Sequence, residues 1–301
     1  FPEQLEYIIN HADDRLLFVD ATLLPVLAQV QGKIPNVEKV VVLTSDAAMP
    51  EAVKGKLPSY ESFIAGQPET FDWPELDERT ASSLCYTSGT TGHPKGVLYS
   101  HRSTVLHAYA CCMADAVGVT GRDSVLAVVP MFHANAWGLP YNAPMVGTKL
   151  VFPGPKMGDA AMLVTLMNEE GVTMAAGVPT VWTLLLNYLD QSGIKLRTLT
   201  RTLVGGSAVP LQMIRDFDQK HGVQVLQGWG MTEMSPLGTV GSLRAEQESL
   251  PAEQRYAIQA RQGRGIFGVD RKIVDDDGRE LPWDGKSAGE LKVRGPWVCS
   301  G

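Results

Sequence analysis

Short runs of apolar and β-branched residues alternate along most of the chain with longer segments whose apolar positions follow a helical period. This alternation is typical of a mostly parallel sheet layered with helices, and it predicts an α/β fold. A helix is predicted over residues 210–221, with Pro210 at its first position and Gly222 after its end. The predicted strands of the sheet are 16–19, 39–43, 83–87, 124–129, 149–152, 173–176, 201–204 and 224–226.

The pattern changes after about residue 241. A polar stretch is followed there by short strands, predicted at 271–274 and 290–293, between turns rich in Asp and Gly. We therefore predict an α/β core over residues 1–240 and a β-rich lobe of the same domain over residues 241–301. The chain lacks an initial methionine and stops just after an extended pattern, which predicts a fragment truncated at both ends.

Composition narrows the function classes. The net charge is -7 and the basic residues are scattered, which excludes a typical nucleic-acid-binding surface. The four cysteines show no CxxC spacing, as is usual for free thiols in a reducing compartment. No apolar run reaches the ~18 residues of a membrane span, so a cytoplasmic protein without a transmembrane segment is expected.

The segment 86–96, YTSGTTGHPKG, combines residue types that bind phosphate. It follows a predicted strand, and Ser100 can cap a helix beginning at His101, which predicts the strand, loop and helix of a phosphate-binding site. A surface turn would use similar residues, but eleven ordered positions favour a binding loop. Glycines let the backbone come close to phosphate, hydroxyl groups donate hydrogen bonds to it, and a lysine adds positive charge. The residues that supply these features are Thr87, Ser88, Gly89, Thr90, Thr91, Gly92 and Lys95.

The spacing is not that of a P-loop, because Lys95 stands between Pro94 and Gly96. The segment instead resembles the signature of the adenylate-forming enzymes, which include acyl-CoA synthetases, firefly luciferase and peptide-synthetase adenylation domains. This resemblance implies an αβαβα-type adenylation domain. It extends to residues 205–208 (GGSA), 228–233 (GWGMTE) and 289–296 (GELKVRGP), the last of which precedes the family's hinge to a small C-terminal domain.

The resemblance implies sites for ATP and Mg²⁺. Thr232 matches the threonine that faces the phosphates, and Glu233 matches the glutamate that holds magnesium, with Thr87 as a second metal-side hydroxyl. Mg²⁺ suits such a sparse set of oxygen ligands, because phosphate and water complete its coordination. Taken alone, a Thr-Glu pair after a strand is most often just solvated, and residues 205–208 would be read as a plain strand-to-helix turn. Further nucleotide contacts are implied for Gly206, Ser207, Ala208, Gln227, Gly228, Trp229 and Gly230.

Residues 130–137, PMFHANAW, match the region that borders the acyl pocket in this family. His133 matches a position near the acyl-phosphate junction, and it is a candidate catalytic residue with Thr232, Glu233 and Lys95. Ala134 and Trp137 complete the implied acyl pocket, and Trp137 matches an aromatic gate of long-chain fatty acyl-CoA synthetases. Either aromatic side chain could instead simply pack in the core.

The resemblance also bears on the substrate. Amino-acid-activating domains place an aspartate where this chain has His133, and an unpaired ammonium would be costly to bury. Medium- and long-chain fatty acids are therefore the expected substrates, with aryl, methylthio and other short acids as alternatives. The implied reaction forms acyl-AMP and pyrophosphate from ATP, and coenzyme A then displaces AMP as co-substrate. Neither step needs a protein nucleophile, since positioning and charge neutralisation suffice.

The family's ribose-binding aspartate and the lysine of its mobile domain would lie beyond residue 301. The 301-residue chain is therefore expected to bind nucleotide weakly and to adenylate poorly or not at all; robust acyl-AMP formation by it would overturn this expectation. A nucleotide-binding module without turnover is the alternative from another class. A homodimer is compatible with the sequence, which does not fix the oligomeric state.

Overall fold

The computed structural model describes residues 1–87 and 92–299, which divide into two compact units. The first unit comprises residues 1–77 and the described part of 86–97, and the second comprises 78–85 and the described residues from 98 onward. Strands β1 and β2 of the first unit pair in parallel over a small apolar core. Its elements are α1 (Pro2–Ala12), β1 (Leu16–Val19), α2 (Leu24–Leu27), β2 (Lys39–Val42) and α3 (Tyr60–Ile64).

Strand β3 (Ala81–Thr87) and strand β4 (Lys95–Ser100) form a two-stranded sheet, and helix α4 (His101–Cys112) follows β4 directly. The predicted order of strand, loop and helix is therefore wrong, because a second strand stands between the loop and the helix. The signal for this strand is the alternation of residues 95–100, in which Val97 and Tyr99 are buried. The predicted cap at Ser100 is confirmed as a reciprocal capping box with Ser103.

A seven-stranded sheet forms the core of the second unit, in the order β11-β10-β9-β8-β7-β5-β6. Strands β5 to β9 run parallel to one another and β10 runs antiparallel to β9 and β11, which confirms the predicted α/β fold. The elements of this region are β5 (Ser124–Val128), α5 (Ala134–Trp137), α6 (Leu139–Val146), β6 (Lys149–Val151), α7 (Ala160–Glu169), β7 (Met174–Gly177), α8 (Pro179–Ser192), β8 (Arg201–Val204), α9 (Leu211–His221), β9 (Gln224–Gly230), β10 (Leu237–Val240), α10 (Ala245–Glu248), α11 (Ala252–Gln259) and β11 (Arg264–Gly265).

Apolar layers cover both faces of this sheet. Successive residues of a strand point to opposite faces, and in β5 Val125 and Ala127 join one buried cluster whereas Leu126 and Val128 join the other. Helices α8 and α9 contribute to the second cluster through residues such as Trp182. The continuous apolar composition of the central strands follows from this two-sided burial.

Two predicted boundaries need correction. Helix α9 begins at Leu211, and Pro210 is its N-cap, in extended conformation, instead of its first helical residue. Strand β9 continues past its predicted end at residue 226 as far as Gly230, because β10 pairs with its last residues. The sequence of β9 alone does not indicate that an antiparallel strand pairs with its end.

The predicted β-rich lobe is present as a three-stranded antiparallel sheet in the order β13-β12-β14. Its strands are β12 (Asp270–Val274), β13 (Glu280–Leu281) and β14 (Glu290–Arg294). The boundary between core and lobe at residue 241 stays a prediction. None of the helices in the described part of the chain is long and apolar enough to cross a membrane.

Candidate functional site

A cavity of about 330 Å³ lies in the second unit, at the carboxyl ends of the central parallel strands. One wall consists of the backbone after β8, at Gly205 and Gly206, and of residues 228–233 at the end of β9. The opposite wall comes from α4, α6 and the turn between β5 and α6. Ligands bind in this position in open α/β sheets, because the loops that follow parallel strands converge there.

Glycine is required where the backbone segments of the first wall meet their neighbours. A Cβ atom at Gly230 would lie 1.9 Å from the carbonyl oxygen of Pro236, at the start of the chain reversal into β10. At Gly205 a Cβ atom would lie 3.2 Å from the Gly228 carbonyl oxygen and 3.2 Å from the Trp137 ring. The first wall therefore presents main-chain atoms to the cavity, as a surface for a nucleotide requires.

Thr232 and Glu233 line the cavity from a short 3₁₀ turn, Thr232–Met234, that follows β9. Met234 anchors this turn because its side chain is fully buried. The hydroxyl of Tyr99 donates a hydrogen bond of 2.5 Å to the Thr232 carbonyl oxygen. Burial raises the pKa of Tyr99, so the phenol keeps the proton that it donates.

Residues that follow β14 also hold the Thr232–Met234 turn in place, through hydrogen bonds. The backbone amide of Cys299 donates to the Glu233 carbonyl oxygen over 2.8 Å, and Ser235 Oγ donates to the Trp297 carbonyl oxygen over 2.9 Å. The Trp297 indole donates to the Leu237 carbonyl oxygen over 3.0 Å. Sequence reasoning missed Tyr99 and Trp297, since a single aromatic residue gives no signal of such a distant partner.

The predicted acyl-pocket residues come together in an unusual turn. All four residues of α5 are left-handed, with φ of 45° at Ala134, 52° at Asn135, 48° at Ala136 and 58° at Trp137. The Asn135 side chain donates to Ser83 Oγ over 3.0 Å and to the Tyr141 hydroxyl over 3.2 Å.

This turn places its side chains at the cavity. Ala134 and Trp137 are buried and line it, and His133 lines it from an exposed position. The left-handed backbone is unfavourable for residues other than glycine, and asparagine tolerates it best. Tertiary contacts, and not local propensity, must therefore hold the Trp137 ring beside Gly205.

Three buried polar side chains, His107, Cys111 and Asn142, belong to helices α4 and α6 on the opposite side of the cavity. His107 accepts a hydrogen bond at Nε2 from the Leu237 amide over 3.2 Å, and burial lowers its pKa to about 4, so the ring is neutral. Burial likewise raises the pKa of the Cys111 thiol to about 12. Asn142 is 1% exposed and lines the cavity, and its Oδ1 atom has no hydrogen-bond partner among the described residues.

Not all of the predicted site residues line the cavity. Ser207 and Ala208 are exposed and Gln227 is fully buried, where its Oε1 accepts from the Val209 amide over 3.2 Å. Those that do line the cavity are His133, Ala134, Trp137, Gly206, Gly228, Trp229, Gly230, Thr232 and Glu233.

The remaining predictions fall on the loop segment. Thr87, Gly92 and Lys95 belong to the first unit, where Thr87 is half-buried and Lys95 is exposed at the start of β4. Ser88, Gly89, Thr90 and Thr91 lie outside the described residues. Their roles at the nucleotide stay predictions.

The residues of the cavity fit a magnesium ion that is bound together with a polyphosphate. Glu233 brings a carboxylate to the cavity, and within residues 1–87 and 92–299 no group of three or more His, Cys, Asp or Glu side chains could hold a metal alone. Mg²⁺ commonly binds through one or two carboxylates plus substrate phosphates and water. A single glutamate is therefore a sufficient protein contribution.

Comparisons with known proteins agree with this geometry. The chain is 51% identical to the 3-methylmercaptopropionyl-CoA ligase of Ruegeria pomeroyi, over 99% of the chain and 55% of that protein. It is 49% identical to the medium-chain-fatty-acid–CoA ligase of Ectopseudomonas oleovorans, over 99% of the chain and 54% of that protein.

The chain thus spans about half the length of these curated relatives. Among solved structures, the anthranilate CoA ligase AuaEII, in complex with anthranoyl-AMP, shares the fold with a TM-score of 0.82. That match has 24% identity and covers 99% of the chain and 53% of the solved chain. The family described as AMP-binding enzyme matches residues 1–301, and the chain belongs to this family.

Proposed function

We propose that the protein containing this chain is an AMP-forming acyl-CoA ligase for short- to medium-chain aliphatic acids. Its first step joins the carboxylate to the α-phosphorus of ATP and releases pyrophosphate. In its second step the thiol of coenzyme A displaces AMP from the acyl-AMP. Mg²⁺ bound at Glu233 would neutralise phosphate charge, and the Thr232 hydroxyl would orient the phosphates.

The observation that carries this proposal is the contrast between the two walls of one cavity. Main-chain atoms of Gly205, Gly206 and the end of β9 lie on one side with Thr232 and Glu233, and a mainly apolar wall faces them. A nucleotide and an acyl chain need these two kinds of surface side by side. The thiol nearest the cavity, Cys111, is held protonated by its raised pKa of about 12, which supports direct attack by the substrate carboxylate.

Cavity size supports a short or medium acid. A volume of about 330 Å³ is near the lower limit of the ~300–1,000 Å³ typical of ligand sites, and the ring of Trp137 occupies part of the boundary. The Ruegeria and Ectopseudomonas relatives, named for a methylthio acid and for medium-chain fatty acids, support the same range. His133 at the cavity would lie near the carboxylate.

Exchange of labelled pyrophosphate into ATP by the full-length protein tests the proposal. We expect exchange that depends on added hexanoate or 3-(methylthio)propanoate, and thioester formation once coenzyme A is present. Palmitate should give kcat/KM lower by about tenfold or more, because the cavity cannot enclose so long a chain. Nucleotide binding without exchange for any acid would favour a module without turnover, and benzoate as the best substrate would favour an aryl-CoA ligase.

A further inference from the structure

The side chain of Asn142 is a polar group in an otherwise mainly apolar wall. It lies on α6 between Leu139 and the start of β6, and its neighbours at the cavity include Cys111, Val117 and Leu237. Only 1% of Asn142 is exposed, and Oδ1 has no donor within the described residues. A buried amide oxygen without a donor is unfavourable, and such groups in native proteins are usually paired by a ligand or by water.

The surrounding groups cannot supply the missing donor. The Cys111 sulfur lies against the His107 ring, 3.7 Å from Nε2 and 3.8 Å from Nδ1, and makes no hydrogen bond to Asn142 Oδ1. The neutral His107 ring accepts at Nε2 from the Leu237 amide, so its one proton is on Nδ1, which contacts the Cys111 sulfur at 3.8 Å. Val117, Leu139 and Leu237 have apolar side chains, so an incoming molecule must bring the donor for Oδ1.

We propose that Asn142 is a specificity-determining residue that selects short acyl chains carrying a hydroxyl group near their end. The inference rests on the proposed function, because it requires the acyl chain to occupy this cavity. The hydroxyl donates its hydrogen to Asn142 Oδ1, whereas a wholly aliphatic chain of equal length leaves that oxygen unpaired. A site built to hydrogen-bond a hydroxyl discriminates more strongly than a pocket that senses one methylene.

Three acids with the same number of non-hydrogen atoms distinguish the effect of a hydroxyl donor from the effect of chain size. In 4-hydroxybutanoate a hydroxyl replaces the terminal methyl of pentanoate, and in 3-(methylthio)propanoate a sulfur replaces one methylene. Their stable acyl-sulfamoyl adenosine analogues can be titrated into the full-length protein by calorimetry, with no need for turnover. We expect the hydroxylated analogue to bind about tenfold or more tightly than the pentanoyl analogue, although the latter is more apolar.

Asn142→Leu, which keeps a branched side chain of similar shape, should reverse this preference. Affinity for the hydroxylated analogue falls and affinity for the pentanoyl analogue rises. Val117→Ala is the matched control, since it enlarges the same wall without changing its polarity and should shift both affinities alike. The ratio of kcat/KM for the two acids should follow the ratio of affinities, which a purely structural role of Asn142 would not produce.

Several outcomes would overturn the inference. Wild-type protein that prefers the pentanoyl analogue contradicts it even if Asn142→Leu fails to fold. A preference that Asn142→Leu leaves intact, or a methylthio analogue that responds like the hydroxylated one, would also exclude a donor-specific contact. Selective binding of the hydroxylated analogue with no acyl-AMP formation from any acid would instead refute the proposed ligase activity and retain the recognition by Asn142.

Discussion

Thr232 and Glu233 are positioned mainly through their carbonyl oxygens. Tyr99 donates a hydrogen bond to the Thr232 carbonyl oxygen, and the Cys299 amide donates one to the Glu233 carbonyl oxygen. Both side chains therefore remain available to the cavity. This arrangement suits residues that are proposed to contact phosphate and metal, because their own polar atoms are not used for anchoring. Tyr99 thus acts as a positioning residue.

Tyr99→Phe should remove the hydrogen bond to the Thr232 carbonyl and leave the rest of the ring in place. The loss of this bond should lower the free energy of unfolding by about 1 kcal/mol, and acid-dependent pyrophosphate exchange should fall by several-fold as the turn shifts. Urea titration and the exchange assay measure the two effects. Tyr109→Phe, at an exposed position of α4, should change neither. Unchanged exchange in Tyr99→Phe would contradict the positioning role.

The sequence predicts some of these residues and not others for a physical reason. Residues 228–233 are contiguous, so their glycine, threonine and glutamate form a local pattern that can be recognised. Tyr99 and Thr232 are 133 positions apart, and nothing near Tyr99 indicates its partner. The sequence gives equally little indication of the role proposed for Asn142, because a single polar residue in a helix is usually exposed.

Among the elements, the left-handed turn α5 depends most on the rest of the fold. Its alanines and its tryptophan have backbone conformations that they avoid in isolation, at a cost of about 1 kcal/mol or more per residue. The hydrogen bonds of the Asn135 side chain to Ser83 and Tyr141 tie the turn to β3 and α6. We infer that they maintain the position of Trp137.

Asn135→Ala should lower the free energy of unfolding by about 1–3 kcal/mol, since it removes three side-chain hydrogen bonds, one of them accepted from the Cys85 thiol, and a residue that tolerates left-handed backbone. Tyr141→Phe and Ser83→Ala each remove one of these bonds and should cost less. Chemical denaturation of the three variants gives the ranking. Equal stability of Asn135→Ala and wild type would show that the side chain does not hold the turn.

The contrast between α5 and the central strands explains what could be predicted at this scale. Strand Arg201–Val204 is predicted to the residue, because burial in the centre of the sheet imposes a local apolar run. The conformation of α5 arises from contacts with β3 and α6, and alanine has no preference that would indicate it. Strand β4 was missed although its alternation is local, because the glycine-rich loop before it suggested a helix start.

At the scale of the whole molecule, a buried ion pair joins the strand ends opposite the cavity. Asp123 precedes β5 and accepts two hydrogen bonds from Arg201, the first residue of β8, over 3.0 and 2.9 Å. It also accepts from Thr173, which precedes β7, over 2.7 Å. Burial alone would raise the pKa of Asp123, but these hydrogen bonds and the amide of Thr120 outweigh it and lower the pKa to about 2.

Asp123 should therefore contribute pH-dependent stability. Its folded pKa lies below the ordinary 3.8, so the contribution of about 2 kcal/mol is fully present above ~pH 4 and is lost as the pH falls toward ~2. Asp123→Asn should be less stable by at least this amount at pH 7, because Arg201 loses its partner, and the difference should shrink in acid.

Urea titrations of wild type and Asp123→Asn between neutral and acidic pH measure this difference. Glu170→Gln provides the control, since its ion pair with Lys149 is exposed and is expected to contribute less than about 1 kcal/mol. Parallel pH profiles for wild type and Asp123→Asn would contradict the assignment.

The anchoring of the Thr232–Met234 turn also has a consequence for biosynthesis. Ser235 and its partner Trp297 are 62 residues apart in the chain. Because synthesis proceeds at ~5–20 residues per second, the turn precedes this anchor by roughly 3–12 s. During that interval the Tyr99 contact is already available to the turn, whereas the Trp297 contact is not. The wall proposed to receive the phosphates therefore cannot reach its final conformation until residues 297–299 have been synthesised.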